Sequence, residues 1–289
     1  MATDTGAEAD IVAAGVDGGR WRRLWITHVT DVITATDADS DQVRANRPAE
    51  SNRQAFVVLV VTALALISNE FLTRDPGWVT TPLEWLGLDE AAAGLVDSFR
   101  TDQLGRLTFW GTVQIVTYVA PAALVIRYVL RGRLSDYGLG IRGTGRHAWI
   151  YGVLLAISIP GIVFAASSPA FLAKYPFLDP IVGQPLFPDM AIWWVVYAAQ
   201  FVALEFFFRG FMVHGLKARL GYAAVFVMAV PYAMIHFQKP MLEATMAIAG
   251  GVVLGTLSLG TRSIWWGAAL HIAIAGTMDV LALQAKGFL

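Results

Sequence analysis

From residue 55 onward the chain runs in long apolar blocks separated by short charged connectors, whereas residues 1–54 are polar and charged. A helix needs about 17 to 25 mostly apolar residues to cross a bilayer. The blocks predict seven such helices, over 55–72, 107–130, 148–168, 190–216, 222–237, 241–259 and 264–285. The fourth is long enough for its last turns to emerge into the interface, and Pro240 marks the turn between the short fifth and the sixth. Pro121, Pro160 and Pro231 fall within or at the edge of spans, where neighbouring helices can satisfy the freed carbonyls. Two connectors are long: 73–106, with an amphipathic stretch through Leu88, Leu95, Val96 and Phe99, and 169–189, with five prolines. No internal repeat is visible. The fold class expected is an all-α, polytopic membrane bundle of about seven transmembrane helices.

The N-terminal part reads differently. Residues 1–19 are acidic and rich in small residues, a composition expected to be disordered. In 20–33, Trp21, Trp25, Val29 and Ile33 recur every four residues beside Arg20, Arg22 and Arg23, the pattern of an interfacial helix with aromatic anchors. Threonine and valine weaken helix propensity there, so a tail with incidental tryptophans stays open as the alternative. Asp37 to Glu50 reads as a polar linker. The only early apolar run, Ile11 to Val16, is shorter than a signal-peptide core, so the first span is expected to act as the insertion signal. The division expected is a cytoplasmic tail over 1–54 and a membrane domain over 55–289, with the motif-bearing core at 190–285.

Composition sharpens the class. Hydrophobic residues make up 56% of the chain and charged ones 15%, against about 25% charged in a soluble domain. There is no cysteine, which excludes disulfides, thiolate catalysis and cysteine-based zinc sites. The net charge of −1 hides an asymmetry of basic residues. Arg44, Arg47 and Arg53 precede the first span; Arg131, Arg133, Arg142 and Arg146 separate the second and third; Lys217 and Arg219 follow the fourth; Arg262 precedes the last. Of the alternate connectors, two carry Lys174 and Lys239 alone, and 73–106, with Arg74, Arg100 and Arg106, is long and acidic and constrains little. Counting lysine and arginine in this way places the N-terminus in the cytoplasm and the C-terminus outside, for a multi-pass protein of a bacterial inner membrane.

Against this apolar background stand Glu205, Arg209, His236 and His271. An ionisable side chain at a helix centre costs at least about 2.5 to 3.5 kcal/mol on insertion scales, so each is a functional candidate. At about 1.5 Å of rise per residue, Glu205 lies about 21 Å from Arg219, His236 about 22 Å from Gly221 and His271 about 14 Å from Arg262. Three helices therefore deliver a carboxylate and two imidazoles to one layer near mid-membrane. A carboxylate beside an imidazole can deprotonate a water for attack on a carbonyl, and a second imidazole can stabilise the oxyanion. The same three groups could also form a zinc site with an open position, and spacing does not separate the two. Glu205 and Arg209, four apart with the acid first, are in the favoured order for a helical ion pair. No HExxH and no GxSxG occurs. His28 and His147 lie in cytoplasmic segments, and His214 falls about 180° around the helix from Glu205. Asp279 falls about 80° from His271 and is a further candidate, holding that imidazole through a bridge.

Glu205-Phe-Phe-Phe-Arg209-Gly210, an aromatic four residues before His236, and His271 in the last span resemble the CPBP intramembrane protease family, also called Abi, which includes the type II CAAX prenyl endopeptidases and bacteriocin self-immunity proteins. The resemblance covers about 190–285. In the family pattern the first motif reads Glu-Glu-x-x-x-Arg and the third His-x-x-x-Asn; here Leu204 stands at the first acid and Ala275 at the Asn. The resemblance implies an α-helical protease in which Glu205 and His236 activate water, His271 helps to stabilise the oxyanion and Arg209 is structural. It implies no required cofactor, although the family often carries the label metalloprotease, with zinc on Glu205, His236 and His271 as the alternative. The expected partners are the bilayer and a membrane-associated peptide or protein, prenylated or not, and no nucleic acid. Leu204 and Ala275 support the rival reading, a catalytically silent scaffold or self-immunity protein on the same fold. A proton-coupled transporter is disfavoured by the lack of a repeat.

Overall fold

The computed structural model describes residues 26–141 and 144–289. Its helices are α1 (Asp31–Asn46), α2 (Pro48–Leu72), α3 (Gly77–Trp85), α4 (Asp89–Thr101), α5 (Gln103–Val129), α6 (Thr144–Ala166), α7 (Asp189–Leu220), α8 (Ala223–Met234), α9 (Met241–Thr261) and α10 (Trp265–Ala285). Six of these, α2, α5, α6, α7, α9 and α10, are long and apolar enough to cross a membrane. The protein is an all-α, multi-pass membrane bundle. α8, expected over 222–237, has only 12 helical residues, about 18 Å of rise against a hydrocarbon core of about 30 Å. The helix ends at Met234, and residues 235–239 form a turn and bend that lead to Pro240, directly before α9.

The N-terminal expectations are partly revised. The tail 1–19 and residues 20–25 of the expected interfacial helix lie outside the described residues. The stretch expected as a linker, 37–50, is helical except at Arg47, with α1 ending at Asn46 and Pro48 opening α2. Its helicity comes from partners distant in sequence. The Asp37 carboxylate accepts the Tyr222 backbone N–H at 2.7 Å, the Arg44 guanidinium donates to the Arg219 carbonyl at 3.2 Å, and the Ser40 hydroxyl donates to the Ala218 carbonyl at 3.4 Å. Such polar tertiary contacts stabilise a short helix that local propensity alone leaves marginal. The amphipathic connector 73–106 folds as α3 and α4, joined to α5, whose first turn is capped by Asp102 accepting from Leu104 and Gly105.

Connectors group on two faces. On one, Ile264 N–H donates to the Gly138 carbonyl, Leu139 bridges Ser263, and α1 covers the α7–α8 turn. On the other, the Gln103 side chain donates to the Phe177 carbonyl, Tyr175 bonds Glu243, and Lys286 pairs with Asp179. The first of these faces is the one that carries the clustered arginines. Between the faces α7 is the central helix, packed against α5, α8, α9 and α10. The main apolar core gathers around it and includes Phe206, Phe207, Phe208 and Phe211, all buried.

Candidate active site

α7 carries a stripe at four-residue spacing: Trp193, Tyr197, Phe201, Glu205 and Arg209. The rings follow one another down the helix, Trp193 and Tyr197 stacked with centroids 4.8 Å apart and Tyr197 and Phe201 tilted at 4.6 Å. The Phe201 ring then lies nearly parallel to His271 at 5.4 Å. At Glu205 the α-helix gives way to a π-helical stretch, Phe206–Met212. Such wide turns are rare and frequent at functional sites. Here the stretch carries Arg209 and brings Gly210 so close to the turn Leu134–Tyr137 that a Cβ would stand 2.5 Å from the Tyr137 carbonyl oxygen.

Glu205 is the centre of the cluster. Its Oε1 lies 3.0 Å from the Arg209 guanidinium and 2.7 Å from His271 Nδ1. Glu205 and Arg209 are 1% and 0% exposed, whereas the His271 side chain is 17% exposed. The carboxylate reaches α10 because Gly267, one turn before His271, has no side chain; a Cβ there would stand 2.7 Å from Oε2. From α8, the Tyr232 hydroxyl meets His271 Nε2 at 2.9 Å, and the Arg209 guanidinium carbon sits 3.8 Å over the Tyr232 ring. His236 lies in the turn just past α8, half-buried, with Nδ1 2.8 Å from the Tyr232 carbonyl oxygen. A carbonyl only accepts, so Nδ1 of His236 carries the proton and Nε2 keeps its lone pair.

The sequence-predicted residues are thus placed unequally. Glu205, Arg209 and His271 touch directly, and His236 joins them through Tyr232. Asp279 is fully buried, and its Oδ2 accepts from Trp194 Nε1 at 3.0 Å. Both nitrogens of His271 face other groups, so Asp279 stands apart from that imidazole. His214 bonds Ser258 at 3.1 Å, and Ser258 donates to the Arg209 carbonyl, which supports the helix crossing. Leu204 and Ala275 are buried in apolar packing. Among the described residues no three His, Cys, Asp or Glu side chains stand together as metal ligands would, and a guanidinium occupies one side of the carboxylate.

Several charged atoms lack a well-aligned hydrogen bond. Both Glu205 oxygens, all three Arg209 side-chain nitrogens and His271 Nδ1 are buried without one, the close contacts being off the donor axis. Buried polar groups are usually bonded, and exceptions ask for a reason such as catalysis. Gly267 and Phe201 were not singled out from sequence as site residues, and Tyr232 entered only as the aromatic four residues before His236. Gly267 and Phe201 likewise stand four residues before residues that were, His271 and Glu205 respectively, so the next helical turn held the signal.

Residues 186–277 match the family model described as Type II CAAX prenyl endopeptidase Rce1-like. The match includes Glu205, Arg209, His236 and His271 and stops before Asp279; α2, α5 and α6 lie outside it. No curated protein and no solved structure matches the chain. The family match agrees with the motif resemblance and supports intramembrane endopeptidase activity in general; it lends no support to a metalloprotease.

Proposed function

We propose that this Rce1-like type II CAAX prenyl endopeptidase domain hydrolyses a peptide bond of a membrane-associated, prenylated peptide or protein, with water activated by protein side chains and no metal. The observation that carries this reading is the Glu205 carboxylate held 2.7 Å from His271 Nδ1, with His236 beside it offering a free Nε2. His236 takes a proton from water as general base. Glu205, enclosed between Arg209 and His271, orients the His271 imidazole beside the tetrahedral oxyanion, while the proton taken from water stays on His236. On collapse the carbonyl re-forms, the C–N bond breaks and His236 returns its proton to the leaving amine. The clustered arginines support a cytoplasmic N-terminus in a bacterial inner membrane, with substrate entering from that side.

Purified protein in liposomes should cleave a farnesylated peptide ending in Cys-aliphatic-aliphatic-X faster than its unprenylated form. Glu205→Gln, His236→Ala and His271→Ala should each lower the rate by about 10²- to 10⁴-fold, the range for a lost general acid or base. A folded wild-type protein that cleaves neither peptide would favour the silent-scaffold reading, which Leu204 and Ala275 support at the family's acid and Asn positions. Equal cleavage of both peptides would remove the prenyl group from the proposal.

A further inference from the structure

Tyr232 touches every other member of the cluster except Glu205. Its hydroxyl lies 2.9 Å from His271 Nε2, its carbonyl oxygen 2.8 Å from His236 Nδ1, and its ring lies under the Arg209 guanidinium at 3.8 Å. The ring is fixed from the side by Phe208, edge-on at 5.3 Å, and the residue is buried. The His236 ring packs against it at 4.8 Å. One residue thus has a hydrogen-bonding hand on each imidazole.

The two contacts impose different states. At His236 the carbonyl accepts, which places the proton on Nδ1 and leaves Nε2 bare. At His271 the carboxylate faces Nδ1, which places the proton there, and the neutral ring then receives the phenolic proton at Nε2. Both imidazoles therefore hold the same tautomer, yet only His236 has a free basic nitrogen. The Tyr232 hydroxyl thus caps Nε2 of His271, so no proton from water is taken up there. Ala275, one turn beyond His271, offers no polar group to do this instead. The carboxylate, imidazole and hydroxyl stand in the order that orients catalytic histidines elsewhere.

We infer that Tyr232 is a positioning residue that divides the labour between the two imidazoles, covering Nε2 of His271 while leaving Nε2 of His236 free. This rests on the peptidase reading for its kinetic consequence, but its structural content can be read without turnover. Tyr232→Phe removes the hydroxyl and keeps the ring, the guanidinium contact and the backbone carbonyl. In protein labelled with ¹⁵N-histidine, with resonances assigned by single His→Gln variants, Nε2 of His271 should shift to the position of an unbonded acceptor, and the His236 signals should stay. Cleavage of the farnesylated peptide should fall about 10- to 100-fold in kcat with KM unchanged, and Tyr232→His, which restores a polar group, should recover part of it. An unmoved His271 resonance in Tyr232→Phe would overturn the proposal whether or not the protein is a peptidase. A moved resonance with unchanged kcat in an active enzyme would also overturn it, by showing that the contact is structural only. A moved resonance in a protein that cleaves nothing, even as wild type, would leave the positioning geometry intact and defeat the peptidase reading instead.

Discussion

Two clusters that each pair an acid with a base are built differently. Near mid-membrane, Arg209, Glu205 and His271 approach to 3.0 and 2.7 Å, yet the atoms in contact lack aligned hydrogen bonds. At the face away from α1, Lys239 donates to the Tyr175 hydroxyl at 2.6 Å, Tyr175 donates to Glu243 at 2.8 Å, and Lys239 pairs with Glu243 at 3.4 Å. The Lys239 ammonium also lies 4.3 Å over the Phe177 ring. The second cluster is closed, each polar atom spent on a neighbour, and it ties 169–188 to the turn that carries His236. The first keeps bonding capacity in reserve. A group meant to hold two segments together is best fully bonded, and one meant to meet a changing charge is not.

The largest effect should come from opening the central pair. Arg209→Ala leaves a buried carboxylate without its guanidinium, at about 3 to 5 kcal/mol, while replacing both partners with apolar residues of similar size should be far milder. Thermal melting in detergent should therefore show Arg209→Ala well below wild type and Arg209→Met with Glu205→Leu close to it, though inactive. A normal melt for Arg209→Ala would show that the carboxylate does not depend on it.

A sharper probe displaces the carboxylate without removing it. Gly267→Ala would put a Cβ 2.7 Å from Glu205 Oε2, whereas Gly276→Ala on the same helix meets nothing within 4 Å. The first should lower melting by about 1 to 3 kcal/mol and cleavage by about 10²-fold, the cost of misplacing a catalytic group by about 1 Å. The second should do neither. Equal behaviour of the two variants would mean that the carboxylate position is not critical.

The closed cluster should respond least, and through pH. Burial lowers the Lys239 pKa from 10.5 to about 8, so the folded protein binds this proton less tightly than the unfolded chain. Stability from this group is then lowest below about pH 8 and rises as pH climbs towards 10.5. The melting temperature of wild type should gain on that of Lys239→Met across that interval, with cleavage at neutral pH within a few-fold of wild type. A difference that stays flat with pH would place the lysine in an environment like water.

Much of this was readable before any coordinates. Long apolar blocks fixed the spans because a bilayer admits little else, and their predicted edges fall within a few residues of those observed except where polar residues extend the helices α2 and α7. Glu205, Arg209 and His271 stood out because charge in hydrocarbon is conspicuous. α1 did not: its residues carry no apolar periodicity, and its stability comes from backbone groups at Ala218, Arg219 and Tyr222, far away in sequence. Asp279 looked like a partner for His271 by helical angle, but angle says nothing of Trp194 arriving from α7. Tyr232 was visible only as the aromatic before His236, with nothing to reveal its hydroxyl on His271, and Gly267 was hidden because its contribution is the atoms it lacks.

The wide stretch Phe206–Met212 has a consequence for comparing sequences. A residue in a π-helical turn advances less around the axis than the 100° of an α-helix. Residues 189–205 of α7 turn their stripe to α5 and α10, and residues 213–220 present theirs to α1 and α2. A helical wheel drawn through all 32 residues of this segment as one regular helix therefore misphases one half against the other. Because the stretch carries Arg209 and the close approach of Gly210 to Tyr137, an insertion or deletion between Glu205 and Val213 should be tolerated less readily than elsewhere along the helix.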